Sequence, residues 1–364
     1  MMRPVMILAG GTGGHVFPAL AVANKLQAHG VPIVWVGTER GIEYRIVPQA
    51  GFELVTMNVQ GLRGKGMLHL LKAPFIILSA LREALSILLK YRPAVLLGMG
   101  GFVTGPCGLM AILLRKPLIL HEQNAIMGLT NRILAPICKK VFAGFSYPSH
   151  KIEYCGNPVR HTLLTIDEPA IRFAQKNHHS HRFLIIGGSQ GSKALNAQVP
   201  AAMQLLAQKH HIEILHQTGK QDHMAVTQAY AETAIDAKVE EFIDDMQAAY
   251  AWADLIICRS GAMTLAEIAS VGLGAVLVPY PYAVDDHQTA NARQFVEQGA
   301  AYLIPEKQLN GSSLHDVCEQ VIAANQFLAM AQKAKALATI DAAERVAQEC
   351  IQLGDIHHSV EMGG

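Results

Sequence analysis

Two short apolar runs, each emptying into a glycine-rich turn and then a helical pattern, limit what this chain can fold into. The first, Val5–Ala9, leads into Gly10-Gly11-Thr12-Gly13-Gly14-His15. The second, Phe183–Ile186, leads into Gly187-Gly188-Ser189-Gln190-Gly191-Ser192. A buried strand, a tight glycine turn and a helix start form the opening of a doubly wound α/β domain. Meeting that opening twice, half a chain apart, predicts two such domains.

The rest of the chain agrees. After Val5–Ala9, the runs Ile33–Val36, Val95–Leu97, Leu118–Leu120 and Val141–Ala143 read as buried parallel strands, with helices such as Pro18–His29 and Pro106–Leu114 between them. A second series follows Phe183–Ile186: Ile212–Leu215, Val239–Phe242, Leu255–Ile257 and Ala275–Val278. Alternating strand and helix means helices on both faces of a parallel sheet. The fold class is α/β, with two Rossmann-like doubly wound halves. The first domain is placed at 1–160, with the join near Cys155–Arg160, and the second at 161–338. In the last segment, 339–364, Asp341 and Glu344 have the spacing of a capping box, and the helix they would start is expected to cross back to the first domain.

Composition removes several function classes. Hydrophobic residues make up 51% of the 364 and charged ones 16%, which excludes a disordered chain. Thirty Lys and Arg face twenty-nine Asp and Glu, without the basic excess of a nucleic-acid binder. The six cysteines form no C-x-x-C pair, as in a reduced cytosolic protein. The first apolar run flows straight into the glycine turn, so it reads as a core strand rather than a signal peptide. No run reaches the ~18–20 apolar residues of a membrane span. The longest, Ala73–Leu81, stops at Arg82 and Glu83.

The glycine turns place backbone N–H groups at a positive helix end, which suits phosphate. A tight turn without a ligand is the plainer alternative. Val16 stands where the dinucleotide pattern needs its last glycine, and the Walker pattern is absent. His15 lies at the start of a helix, whose dipole disfavours an imidazolium and keeps the ring fit for base work. A capping or packing histidine would look the same. His121-Glu122-Gln123-Asn124 follows a strand at the end where ligands bind such sheets. Ala125 stands where a zinc motif would need its second histidine, and no metal site is expected. Cys258-Arg259-Ser260-Gly261 leads into a helix carrying Glu267 about one turn in, where a carboxylate can take a ribose diol. A first-turn acid is also what the dipole alone would favour. Gln288 and Asn291, three apart, share a helical face and offer the paired donors and acceptors that sugar hydroxyls need.

As a set, in one order from the first strand to about Ala300, GGTGGHVFPALAVA, GLRGKG, GMGGFVTGP, HEQN, GNPVR, GGSQGS, EFIDDM, CRSGAMTLAE and HQTANA resemble the MurG family of UDP-N-acetylglucosamine transferases. That resemblance implies a GT-B fold, two Rossmann-like domains facing across a cleft. It implies an inverting transfer of GlcNAc from UDP-GlcNAc to the C4 hydroxyl of MurNAc in lipid I, forming lipid II for peptidoglycan. Donor contacts carried over by motif position are Ile243 to uracil, Glu267 to ribose and Ser189 to diphosphate. Ala262, Met263, Thr264, Leu265 and Ala266 line the donor site, Gln288 and Asn291 lie near the sugar, and Thr12, Gly13, Gly14, Asn124 and Arg160 complete it. Arg63, Gly64 and Lys65 are the acceptor-binding residues. His15 is the candidate base, with Glu122 its rival, and Arg259 a helper at the diphosphate. No D-x-D motif is present, so no metal or other cofactor is expected.

The implied partners are the donor, lipid I, an anionic membrane surface and other cell-wall synthesis proteins, with no nucleic acid. The implied location is peripheral, on the cytoplasmic face of the bacterial inner membrane. Residues 63–92 fit that place. Arg63, Lys65, Lys72, Arg82, Lys90 and Arg92 flank Leu68, Leu70, Leu71, Phe75, Ile76, Ile77, Leu78 and Leu81, against Glu83 alone. Two rival functions share the nucleotide features: a UDP-sugar 2-epimerase, which needs no lipid-facing surface, and a non-catalytic UDP-sugar sensor, which needs no base.

Overall fold

A computed structural model describes residues 2–59, 67–175, 180–188, 190–233 and 235–356, with side chains from 74 onward in the helix that starts at Met67. Arg63, Gly64, Lys65 and Ser189 lie outside the described residues, as do the side chains of Leu68, Leu70, Leu71 and Lys72.

The chain divides into two units, at Arg160/His161 and again at Thr339/Ile340. The first holds β1 (Val5–Leu8), α1 (Gly13–Ala28), β2 (Ile33–Gly37), α2 (Glu43–Gln49), β3 (Glu53–Thr56), α3 (Met67–Tyr91), β4 (Val95–Gly98), α4 (Thr104–Leu113), β5 (Leu118–Glu122), α5 (Leu129–Leu134), β6 (Lys140–Ala143) and β7 (Ile152–Tyr154). The second holds α6 (Pro169–Gln175), β8 (His181–Ile186), α7 (Lys193–Ala207), β9 (Ile212–Gln217), α8 (His223–Ala231), β10 (Asp236–Glu240), α9 (Met246–Trp252), β11 (Leu255–Cys258), α10 (Ala262–Val271), β12 (Gly274–Leu277), α11 (His287–Glu297), β13 (Ala301–Leu303), α12 (Gly311–Ala323) and α13 (Phe327–Ala336). The last helix, α14 (Ala342–Leu353), belongs to the first unit.

Both sheets are parallel. The first runs β3-β2-β1-β4-β5-β6-β7 and the second β10-β9-β8-β11-β12-β13. In the first sheet Val5 lies between Ile33 and Val95, so β1 is central and apolar on both faces. Val5 and Ile7 join a core with α1 and α14, while Met6 and Leu8 join one on the opposite face with α3 and α4. Each such fully buried aliphatic side chain contributes about 1.5–3 kcal/mol. The same order holds in the second sheet, where Phe183 and Ile185 of β8 pack with Leu255 and Ile257 of β11 against α7 and α12.

Helix α14 buries Val346, Ala347 and Cys350 completely in the core of the first unit. Asp341 precedes it, but its side chain makes no capping bond, and the expected capping box is absent. Glu344 reaches sideways instead, to Lys25 at 3.7 Å on α1 and to His29 at 2.7 Å just past its end. Arg345 pairs with Glu153 at 2.6 Å.

Helix α1 starts at Gly13, five residues before the predicted Pro18, because the amides of His15 and Val16 already close onto the Thr12 carbonyl. Pro18 therefore sits inside the helix, where it lacks an N–H to donate. Helix α4 starts at Thr104, two residues before Pro106, where the Thr104 hydroxyl bonds the carbonyls of Gly100 and Leu8. Strand β10 lies earlier than predicted, and Phe242 is 53% exposed beyond its end.

Candidate active site

In each sheet the strand order reverses beside the first strand of the unit, and ligands of such sheets bind outside the carboxyl ends of the strands at that point. In the first unit the reversal lies between β1 and β4, whose ends carry Gly10–Gly14 and Gly100-Gly101. The two loops touch. A methyl on Gly101 would stand 2.6 Å from the Gly10 carbonyl oxygen, and one on Gly100 would stand 2.8 Å from the His15 ring. Both residues also have positive φ, at 85° and 100°. Only glycine leaves room for the His15 ring there.

His15 is half-buried, with Nδ1 3.3 Å from the Gly10 carbonyl oxygen. A carbonyl can only accept, so Nδ1 carries the proton in the neutral ring and Nε2 holds the lone pair. Thr12 and Gly14 are exposed at the start of α1, and the Thr12 side chain makes no capping bond. The Arg160 guanidinium lies over the Phe17 ring at 5.7 Å, and Phe17 in turn backs Gly13. Thr12, Gly13, Gly14, His15 and Arg160 thus gather around one helix end.

The first glycine loop is not an open phosphate cradle. The Gly11 amide donates to Glu43 Oε2 at 2.9 Å, and Glu43 is fully buried. A carboxylate behind the loop takes up one amide and repels an anion. Nothing in the sequence marks Glu43, because an acid at the start of a short helix carries no signal of its own.

Glu122, the rival base, is 3% exposed at the end of β5. Its Oε1 accepts from the Asn124 amide at 3.0 Å and from Asn124 Nδ2 at 3.3 Å. Its Oε2 accepts from the Gly128 amide at 3.0 Å and Asn131 Nδ2 at 2.9 Å. Four donors hold this carboxylate in place, and it shapes the turn that presents Asn124. That geometry turns the base assignment away from Glu122. His121 is also structural, with Nε2 2.9 Å from the Gly156 carbonyl and Nδ1 3.1 Å from Gln123 Nε2. Asn157 donates to the Gln123 carbonyl at 3.0 Å, so the HEQN and GNPVR runs brace each other.

In the second unit the reversal lies between β8 and β11. The glycine turn after β8 leads to Ser192, which caps α7 by accepting from the Leu195 amide at 3.4 Å. Gln217 Nε2 donates to the Gly188 carbonyl at 2.8 Å, and Asn196 Nδ2 to the Thr218 carbonyl at 2.9 Å. Asn196 Oδ1 accepts from His216 Nε2 at 3.1 Å, and His216 Nδ1 lies 3.0 Å from the Tyr230 hydroxyl. These buried partners fix the turn at the α7 N-terminus, and none of them carries a local sequence signal.

The turn after β11 leads into α10, capped by Gly261. Glu267 is its sixth residue, in the second turn rather than the first, so the dipole does not account for it. The Tyr250 hydroxyl donates to Glu267 Oε2 at 2.9 Å. Met263, Thr264, Ala266 and Glu267 are half-exposed, whereas Ala262 and Leu265 are buried and offer a ligand only backbone. Arg259 is engaged with Glu306 at 2.5 Å and with the carbonyls of Val278 and Pro279, which weighs against a diphosphate role. Ser260 donates to the Gln288 carbonyl at 2.9 Å, and Asn291 Nδ2 to the Ser260 carbonyl at 3.3 Å. Gln288 Oε1 accepts from the Tyr280 amide at 2.9 Å. The Gln288 carbonyl and the Asn291 side chain both meet the turn before α10, while the Gln288 side chain turns to the loop at Tyr280. The Ile243 amide donates to Gln217 Oε1 at 3.3 Å, and Ile243 lines a cavity with Phe242, Asp244 and Asp245.

Burial pushes His121 down from its ordinary value of 6.5 to about 4, and His216 to about 3. Both are neutral in the folded chain, so below pH 6.5 the unfolded chain binds protons that the folded one refuses. Stability is therefore full above that pH and falls as pH drops towards 4, approaching about 1.4 kcal/mol per unit for each ring. Urea unfolding across pH 7 to 4.5 measures the slope. His216→Asn should flatten it, and an unchanged slope would assign the loss to other groups.

Comparison with known proteins follows the same division. Residues 5–143 match the glycosyltransferase family 28 N-terminal domain, and residues 182–346 match the family's C-terminal domain. A protein of Nitrosococcus oceani named UDP-N-acetylglucosamine--N-acetylmuramyl-(pentapeptide) pyrophosphoryl-undecaprenol N-acetylglucosamine transferase is 49% identical over 96% of this chain and 98% of its own. One of the same name from Alkalilimnicola ehrlichii is 48% identical over 97% and 99%. Among solved structures, MurG of Acinetobacter baumannii is 38% identical with a TM-score of 0.83, covering 96% of this chain and 99% of that one. A UDP-GlcNAc 2-epimerase from Neisseria meningitidis, bound to UDP-GlcNAc, reaches a TM-score of 0.65 at 13% identity over 96% and 100%, which is a likeness of fold alone. With two doubly wound parallel-sheet units in the GT-B manner and both domains matched, the chain belongs to glycosyltransferase family 28.

Proposed function

We propose that this chain transfers GlcNAc from UDP-GlcNAc to the C4 hydroxyl of MurNAc in lipid I, with inversion at the anomeric carbon, to form lipid II. His15 carries the reading. It stands at the switch point of the first sheet, where the Gly10 carbonyl takes the Nδ1 proton and leaves Nε2 as the basic nitrogen of the neutral ring. In the step, Nε2 takes the C4 hydroxyl proton and the oxygen forms a bond to the anomeric carbon. The bond from that carbon to UDP breaks, and UDP leaves with the electron pair. The second glycine turn and the α7 N-terminus meet the diphosphate charge, while Glu267 takes the ribose diol. Incubation with UDP-GlcNAc and a lipid I analogue tests the whole reading. A disaccharide product supports it, whereas an epimerised donor or binding without turnover would replace it with one of the rival functions.

The acceptor's lipid calls for a membrane surface. No helix among the described residues is long and apolar enough to cross a membrane. On α3, however, Phe75 is 75% exposed and Leu78 54%, with Ile77 beside them. Helix α4 packs on α3 and adds exposed Leu109 and Leu113, and α5 adds Leu129 and Ile133. Exposed Arg82, Lys90, Arg115 and Arg132 lie on or next to these helices. An apolar face rimmed by cations suits peripheral docking on an anionic leaflet, which supports a place on the cytoplasmic face of the inner membrane. Phe75→Ser combined with Lys72→Glu should weaken binding to anionic vesicles by roughly ten-fold to a hundred-fold. UDP binding should stay as it was. Unchanged vesicle sedimentation would move the docking face elsewhere.

A further inference from the structure

Glu43 shows no exposure, and among the described residues it pairs with no cation. Burying a lone carboxylate is expensive unless hydrogen bonds compensate. Three do. Oε1 accepts from the Thr38 amide and the Thr38 hydroxyl, both at 2.8 Å, and Oε2 accepts from the Gly11 amide at 2.9 Å. The chain leaves space for this group. A methyl on Gly10 or on Gly37 would stand 2.6 Å from the Glu43 side chain, and one on Gly41 closer still. A site built around one carboxylate at such expense calls for a reason beyond a turn.

The reason lies on the far side of one peptide group. The Gly11 N–H and the Gly10 C=O are the two ends of a single planar, trans unit, so they point in opposite directions. Glu43 holds the N–H end, and His15 Nδ1 lies 3.3 Å from the C=O end. The contact is slightly longer than a usual N–H···O bond, as catalytic hydrogen bonds often are before substrate binds. We propose that Glu43 is a positioning residue for His15, acting through the Gly10–Gly11 peptide. A carboxylate on the amide hydrogen draws charge towards the carbonyl oxygen, and chained hydrogen bonds strengthen one another. The more negative oxygen holds the Nδ1–H tautomer, leaves Nε2 as the basic nitrogen, and stabilises the imidazolium that forms when Nε2 takes the acceptor's proton. Glu43 thus does through a peptide what a carboxylate bonded directly to histidine does in hydrolytic triads.

This inference rests on His15 as the base, and the test separates the two. Glutamine at position 43 keeps the shape but must turn an N–H towards either Gly11 or Thr38. Glu43→Gln should lower kcat roughly ten-fold to a hundred-fold, as loss of a histidine's outer partner does elsewhere, with the KM for UDP-GlcNAc little changed. Added to His15→Ala, it should cost nothing further, because the relay no longer has an end. Equal losses in both backgrounds would show that Glu43 only supports the fold, and would overturn the relay while leaving His15 as base. Near-normal turnover of His15→Ala would instead overturn the base itself. Should Glu43→Gln not fold, the wild-type protein still decides. Its ¹⁵N imidazole spectrum, with His15 assigned by its loss in His15→Ala, should show Nδ1 protonated and Nε2 bare. The opposite tautomer would overturn the proposal.

Discussion

Replacing His15 by alanine lowers kcat by ~10²–10⁴, the usual contribution of a general base, and leaves UDP affinity almost untouched. The split follows from where the ring sits. His15 belongs to the first unit, held by Gly10 and given room by Gly100, while the nucleotide contacts proposed here centre on α7 and α10 of the second. Steady-state kinetics with a soluble lipid I analogue, together with UDP titration, measure both quantities. Turnover near normal would remove His15 from the mechanism. Glu122 would be a poor replacement, since four donors already hold its carboxylate. A loss of UDP affinity as large as the loss in kcat would mean that the α1 loop had collapsed.

Glu267→Ala should weaken UDP and UDP-GlcNAc by similar factors, roughly ten-fold to a hundred-fold, since hydrogen bonds to a charged acceptor are worth ~1.5–3 kcal/mol. The Tyr250 hydroxyl, 2.9 Å from Oε2, orients the carboxylate from the buried side. Tyr250→Phe should reproduce a fraction of the loss by letting the carboxylate turn. A uridine diphosphate lacking the ribose hydroxyls should cost the wild type about as much as the mutation does, and cost Glu267→Ala little more. That non-additivity marks direct contact. Calorimetric titration of the four combinations decides, and fully additive losses would mean that Glu267 acts through α10 rather than on the ribose.

The parts of the fold that could be read from sequence are those whose strands are buried on both faces. Val5–Leu8 and Leu255–Cys258 are continuous apolar runs because helices cover both sides of a central parallel strand. The edge strands β3, β7 and β13 were not predicted. Glu53–Thr56 and Ile152–Tyr154 are only half-buried, so their composition approaches that of loops. In the site, the glycine turns were legible because their geometry demands particular residues, whereas α1 begins five residues ahead of its predicted start. Side chains whose meaning lies in a distant partner were not. Glu43 matters through Gly11, 32 residues away, and Arg259 is engaged with Glu306, so neither role has a local signature. Adjacency misled in the same way at HEQN, where His121 and Glu122 stand where a ligand would bind yet spend their polar atoms on neighbouring turns.

Helix α14 makes the first unit discontinuous in sequence, and this bears on how the protein is made. Val346, Ala347 and Cys350 share a core with Val5, Ile7 and Val22. While the ribosome is still synthesising residue 340, that core is open along one side of α1. The second unit, by contrast, ends at Thr339 and has all its own strands and helices by then. The usual order of vectorial folding, amino-terminal domain first, is therefore reversed for completion. The unit that begins first closes last, and until it does the nascent chain exposes the apolar side of α1. A stop codon shortly before Ala342 would thus leave the second unit intact and damage the unit that holds His15, although His15 lies more than 300 residues earlier in the chain.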